Sequence, residues 1–220
     1  MDLAIFDLDN TLLGGDSDYL WGEFLVENEL VDPLFYKQEN ERFYEEYQSG
    51  TLNIYEFLEF SLAPLAQYSQ AKLQQLHQEF MHQKIQSVWL PKAEELLNKH
   101  RQENHFLLII TATNHFVTAP IAQKLGVDDI IATMPEKINN HYTGKVAGTP
   151  CFQDGKVVRL SQWLQNNDFS LENSYFYSDS INDLPLLKQV THPIAVDPDE
   201  KLEQYALQQQ WKILSLRGKN

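Results

Sequence analysis

The chain contains a single cysteine, Cys151, so no disulfide can form within it. That scarcity suits a reducing compartment, and Cys151 is read as a small buried apolar residue rather than a nucleophile. Positive charge is also scarce: 17 lysines and arginines face 31 aspartates and glutamates, a formal net charge of -14. A nucleic-acid binder would want a basic face, so that function class is excluded as the general reading. No apolar run nears the roughly 20 residues of a membrane helix. The start carries Asp2, Asp7 and Asp9 instead of the basic residues of a signal peptide, and the chain reads as cytoplasmic. No GxGxxG follows the first apolar run, which removes a dinucleotide-binding enzyme. Repeats and low-complexity segments are absent. The seven histidines lack a metal-ligand spacing such as HExxH and are read mostly as surface residues. No sequence signal assigns an oligomeric state.

What is present is ordinary globular material. A hydrophobic fraction of 43% over 220 residues supports one large domain, or one domain with an insertion, around a sizeable core. Short apolar runs of strand length lie at Leu3–Leu8, His105–Ile110, Asp129–Met134, Ser174–Tyr177, Ile194–Val196 and Trp211–Leu216. Helical patterns fall between the later ones: Lys92–Gln102 behind Pro91, Asn114–Leu125 ended by Gly126, Val157–Asn166, Asp183–Gln189, and Pro198–Gln209 behind a possible Asp197 cap. From Asp16 to about Val88 the pattern is helical throughout, with Ser69 a plausible N-cap. Residues 139 to 155 predict a loop or a short hairpin.

Short apolar strands alternating with helices predict an α/β fold, a Rossmann-like doubly wound parallel sheet. The helical block separates the first strand from the others. The expected division is a core of residues 1–14 and 89–220 with an inserted all-helical cap at 15–88. Trp21, Phe43, Tyr44, Tyr47 and Phe57 are read as the interior of that cap.

Polar residues gather where strands end. The first run ends in Asp7-Leu8-Asp9-Asn10-Thr11, the second in Thr111-Ala112-Thr113-Asn114, and Tyr175-Phe176-Tyr177 in Ser178-Asp179-Ser180-Ile181-Asn182-Asp183. Ligands of open parallel sheets bind at the carboxyl ends of strands. Four aspartates (7, 9, 179 and 183) would converge there, with Thr11 and Asn182 as supporting residues. Such a group needs a cation, and oxygen-only donors select Mg²⁺ over zinc. Mg²⁺ held by few carboxylates leaves positions for phosphate oxygens. Thr111 could donate to such an anion and Lys156 would complete the charge balance.

These motifs, in this order, resemble the haloacid dehalogenase-like phosphohydrolases, in the branch (subfamily IB) that includes phosphoserine phosphatase. DLDNT matches the first motif, Thr111 in IITAT the second, Lys156 in DGKVVRL the third and SDSIND the fourth, where Ser178 stands in place of the usual glycine. The resemblance implies Asp7 as nucleophile and metal ligand. It implies Asp9 as general acid/base with its backbone carbonyl on Mg²⁺, and Asp179 as a further metal ligand. Thr111 and Lys156 would hold the phosphoryl oxygens, and Asp183 would support the metal site or Lys156. Mg²⁺ and Lys156 bring about three positive charges against about four negative ones from Asp7, Asp179 and the phosphate. Asp9 is therefore the group expected to carry the proton.

The expected activity is hydrolysis of a small phosphorylated metabolite through an aspartyl-phosphate. Glu59 stands about where the branch places a substrate-gripping arginine, which argues against phosphoserine. Asp16 and Asp18 either cap the next helix or bind a substrate amine, as in an amino-alcohol phosphate such as histidinol phosphate. A phosphotransferase, or a receiver-like phospho-acceptor without enzymatic activity, are the alternative readings.

Overall fold

The computed structural model describes residues 1–217. The chain opens with β1 (Leu3–Phe6), all four residues buried. The strand stops before Asp7, two residues earlier than the apolar run, because the chain turns at once. The Leu8 carbonyl accepts the N–H groups of Thr11, Leu12 and Leu13, and Asn10 takes φ 56°.

Helices follow: α1 (Ser17–Glu27), α2 (Pro33–Ser49), α3 (Ile54–Leu62) and α4 (Gln70–Gln83), with 3-10 turns at Ala63–Gln67 and Ile85–Val88. Each start has a side-chain cap: Asp16, Asp32, Asn53 and, as expected, Ser69. Gly50 ends α2 at φ 79°, the left-handed geometry glycine adopts without penalty.

Sheet and helix then alternate: α5 (Pro91–Gln102), β2 (Phe106–Asn114), α6 (His115–Leu125), β3 (Asp129–Ile138), β4 (His141–Ala147), α7 (Asp154–Asn166) and β5 (Tyr175–Ser178). A 3-10 turn at Ile181–Asp183 leads into α8 (Leu184–Leu187), β6 (His192–Val196), α9 (Glu200–Gln208) and β7 (Lys212–Leu214). The seven strands lie in the order β4-β3-β2-β1-β5-β6-β7. All neighbours are parallel except β3 and β4, which form a hairpin across Asn139 and Asn140, both at positive φ. The segment expected to be a loop or hairpin thus adds an antiparallel edge.

Both faces of the sheet are covered. Ala4, Phe6, Leu107 and Ile109 pack with α5, α6 and the helices of residues 17–83, in one cluster that includes Trp21, Leu58, Leu62, Leu73 and Phe80. Leu3, Ile5, Leu108 and Ile110 face the other way, onto Leu160, Leu186, Leu187, Leu202 and Ala206. The alternation is the period of two of a strand, and each buried large apolar side chain contributes about 1.5–3 kcal/mol.

One expectation is corrected. The cap of α9 is Asp199, which accepts from Leu202 N–H; Asp197 sits at φ 42° and binds the N–H groups of Leu216 and Arg217 instead. Of the seven histidines, His77 and His100 are buried, and the other five are exposed or partly exposed. Among the described residues no helix is long and apolar enough to cross a membrane.

Candidate active site

The strand order reverses at β1, whose neighbours are β2 and β5. That reversal opens a crevice at the carboxyl ends of the strands. Asp7 follows β1, its N–H pinned to the Tyr177 carbonyl of β5 at 2.9 Å. Lys156 enters from the first turn of α7 and is buried. Its ammonium donates to Asp7 Oδ1 at 2.8 Å and to Asp183 Oδ2 at 2.7 Å. The Ser178 hydroxyl donates to the same Asp183 oxygen at 2.7 Å. The residue that replaces the expected glycine therefore helps to fix the lysine's anchor.

Asp179 accepts from the Thr11 hydroxyl at 3.0 Å, while its own N–H donates back to that oxygen at 3.1 Å. Asp9 accepts the Ser17 N–H at 2.7 Å, the Thr113 hydroxyl at 2.8 Å and the Thr111 hydroxyl at 3.4 Å. Sequence reasoning missed Thr113. It lies two residues after Thr111 on an extended strand, hence on the same face, and that spacing was the available signal. Asn182 sits at the rim, accepting from Gln153 Nε2 at 3.1 Å and reaching the Tyr47 carbonyl at 3.4 Å.

The cleft is lined by Asp7, Asp9, Thr111 and Lys156, and also by Asp16, Asp18 and Asn40. Asp16 caps α1, accepting the Asp18 and Tyr19 N–H groups, both at 2.9 Å. Asp18 has no capping role; the Asn114 amide reaches it at 3.4 Å. The aromatic residues divide. Trp21 is interior, packed with Phe24 and Phe80. Tyr44, Tyr47 and Phe57 line the cleft, and Phe43, itself buried, contributes to the same wall. Reading them all as interior is thus corrected for the tyrosines and Phe57. Phe152 joins the wall from the β4–α7 connection.

Charge is badly balanced. Burial pushes Asp7 well above the usual carboxylate range, against the pull of the Lys156 charge. Burial, then the Asp183 charge, pushes Asp179 up to about 7. Asp16 is pushed up to about 7 by burial and by Asp9, and Asp18 is raised by burial and then by Asp16. Desolvation works against the Lys156 ammonium, but the Asp183 and Asp7 charges outweigh it and hold it above the usual lysine range. Two buried carboxylates, Asp7 and Asp183, share one ammonium, and with Asp179 nearby they form an all-oxygen donor set that a hard divalent cation fits. Cys151 is not among the residues that line the cleft. It is fully buried, and burial pushes its thiol up to about 12.

This geometry defines a class. Residues 4–188 match the family model of the haloacid dehalogenase-like hydrolases, and the chain belongs to that family. It is a phosphomonoesterase. It is 43% identical to the histidinol-phosphatase of Neisseria meningitidis serogroup C (strain 8013), over 98% of this chain and 99% of that one. It is 27% identical to a phosphoserine phosphatase of Mycobacterium tuberculosis (strain ATCC 25618 / H37Rv), over 97% of this chain and 70% of the relative. Among solved structures, a protein of unknown function from Bordetella pertussis Tohama I superposes with a TM-score of 0.90 at 42% identity, covering 98% of each chain. Substrate-bound phosphoserine phosphatase shares the fold with a TM-score of 0.69 at 20% identity, over 98% of this chain and 93% of that one. The receiver-like, non-enzymatic reading falls away with these relatives.

Proposed function

We propose that the chain hydrolyses a small amino-alcohol phosphate, with histidinol phosphate the leading candidate, through an aspartyl-phosphate on Asp7 and with Mg²⁺ as cofactor. The charge pattern of the cleft carries the reading. Lys156 is the sole basic side chain lining it among the described residues, while Asp16 and Asp18 line it from the start of α1. A phosphate fits beside Lys156, and a substrate cation fits beside the aspartates. Beyond Lys156, a substrate carboxylate finds no basic partner among the described residues lining the cleft: Arg42 is held by Glu39, Glu46 and Glu56 along a different groove, which Glu59 also lines. The aromatic wall of Tyr44, Tyr47, Phe57 and Phe152 suits a flat ring. The 43%-identical relative, a histidinol-phosphatase, points the same way.

In this mechanism Thr111 and Lys156 hold the phosphoryl oxygens. An oxygen of Asp7 attacks phosphorus as the ester oxygen leaves, and Asp9 gives that oxygen its proton. Asp9 then takes a proton from water. The water oxygen attacks phosphorus, releasing inorganic phosphate and the Asp7 carboxylate. Asp7, Asp179 and the Asp9 carbonyl would hold Mg²⁺, which when bound neutralises charge between carboxylates and phosphoryl group. Residues 15–88 act as a cap over the core of residues 1–14 and 89–220, excluding water when closed.

The test is a panel of phosphorylated metabolites assayed for phosphate release with Mg²⁺ present. Histidinol phosphate is expected to exceed phosphoserine at least tenfold in kcat/KM, and Asp18→Asn to narrow that ratio. Phosphoserine preferred tenfold would overturn the substrate reading. Turnover that survives exhaustive chelation by EDTA would exclude the metal.

A further inference from the structure

The chain passes from α5 into β2 through Lys99-His100-Arg101-Gln102-Glu103-Asn104-His105, at the amino end of β2, whereas the cleft lies at the carboxyl ends of the strands. Asn104 takes φ 56°. Its N–H donates to the Arg101 carbonyl at 3.0 Å, and the His105 N–H donates to the His100 carbonyl at 3.0 Å. These two bonds are the Schellman closure of a helix end, which folds the second residue past the cap back over the third residue before it. Apolar side chains usually meet across that closure. Here both are imidazoles, and the capping residue between them is Glu103.

The side chains converge. Nδ1 of His100 lies 2.8 Å from Nδ1 of His105. Glu103 Oε2 lies 3.7 Å from the latter nitrogen and 4.0 Å from the former. The other ring nitrogen of His100, Nε2, is 2.8 Å from the Tyr177 hydroxyl, and the Tyr175 ring stacks on His105. Both imidazoles are therefore held in orientation by neighbours, as metal-ligating histidines are.

We propose that His100, Glu103 and His105 form a zinc site separate from the catalytic cleft, with water in the fourth position. Zinc holds imidazole nitrogen at about 2.0–2.1 Å, which puts the ligand atoms of a tetrahedron about 3.3 Å apart. The observed separations of 2.8 to 4.0 Å bracket that value, so a shift of a few tenths of an ångström on each side chain closes the site. Two nitrogens and one carboxylate suit zinc and not the all-oxygen preference of Mg²⁺. Access runs through a groove lined by Lys99, Glu103, Tyr175, His192 and Lys212. The two lysines weaken the attraction for a cation. Lys99, however, faces Glu103 Oε1 at 4.0 Å and leaves Oε2 to the histidines. Bound zinc would cross-link the end of α5 to the start of β2.

The test is made on full-length protein stripped of metal with chelator and returned to excess Mg²⁺. Zinc chloride is titrated against a chromophoric zinc chelator, and the melting temperature is followed in parallel. One zinc per chain and a rise in Tm are expected. Glu103→Gln, at an exposed position, and His105→Phe, which keeps the ring stack, should each weaken zinc binding at least tenfold and abolish the rise in Tm. Zinc-free phosphatase turnover should stay unchanged in both. Zinc uptake that is equal in wild type and Glu103→Gln would overturn the proposal. Equal loss in a variant of the exposed His82 would do the same. In either case the His100–His105 contact would be a hydrogen bond through one shared proton.

Discussion

As the proposed nucleophile, Asp7 would have to be ionised to attack phosphorus, yet its burial favours the neutral acid. Lys156 at 2.8 Å is the counterweight the protein itself supplies. In Asp7→Asn the amide has no anionic oxygen to offer. Turnover is expected to fall by three or more orders of magnitude. The far-ultraviolet circular dichroism and the melting temperature should stay near wild type, because an amide can still accept from Lys156. Full activity in the purified variant would end the assignment of Asp7 as nucleophile. Thr113 supplies a gentler test. It holds one oxygen of Asp9 at 2.8 Å while Ser17 N–H holds the other at 2.7 Å, so it is a positioning residue. Thr113→Val should lower kcat about tenfold with little change in KM, a fraction of what general acid/base catalysis contributes. Thr113→Ser should restore most of the loss. An equal loss in both variants would mean that packing, and not the hydroxyl, is what matters.

Between β4 and α7 the chain delivers Lys156 through a tight path. Gly155 donates its N–H to the Phe152 carbonyl at 2.8 Å, and a Cβ at Gly155 would collide with the Pro150 carbonyl oxygen. Gln153 just before it is held at φ 48° and ψ -121°, a costly backbone for a residue with a side chain. Gly155→Ala must therefore shift the start of α7. A stability loss of about 1–3 kcal/mol is expected, the cost of overpacking, together with a fall in kcat as Lys156 leaves the line of Asp7. Thermal melts and phosphate-release kinetics on the same preparation check both. At this scale the sequence was legible where a pattern is local. The caps at Ser69 and Gly126, the proline starting α5 and the polar strings at three strand ends are short-range signals, and all recur in the fold. What escaped depends on partners distant in sequence. β2 runs on to Asn114 because β3 pairs beside it, and Asp197 loses the capping role because the Leu216 N–H is waiting for its carboxylate. Tyr44, Tyr47 and Phe57 look like interior residues by spacing, and only the placement of α2 and α3 over the strand ends turns them toward the cleft.

For the whole molecule, buried acids set a pH dependence that metal should reverse. Asp16 and Asp179 sit near 7 in the folded protein against an ordinary 3.8. An acid whose folded pKa is raised binds protons more readily in the native state. Folding is then favoured at low pH, and the benefit is lost as pH rises through the folded value. Between pH 6.5 and 8 each of the two groups contributes roughly 1 kcal/mol in that direction. His100, lowered to about 4, opposes this only below its ordinary 6.5, where the unfolded chain takes up a proton that the folded chain refuses. The net charge of -14 adds self-repulsion of the same sign as the acids. Metal-free protein should therefore melt several degrees lower at pH 8 than at pH 6.5, at about 2–4 °C per kcal/mol for a chain of this size. A divalent cation held as proposed beside Asp7 and Asp179 would bind their ionised forms, so the rise in Tm on adding Mg²⁺ should be larger at pH 8 than at pH 6.5. In Asp179→Asn both the Mg²⁺ effect and part of the pH slope should disappear. A Tm that climbs between pH 6.5 and 8 in chelator, or an Mg²⁺ shift that is equal at the two pH values, would mean that the carboxylates of the cleft are not the groups the cation rescues.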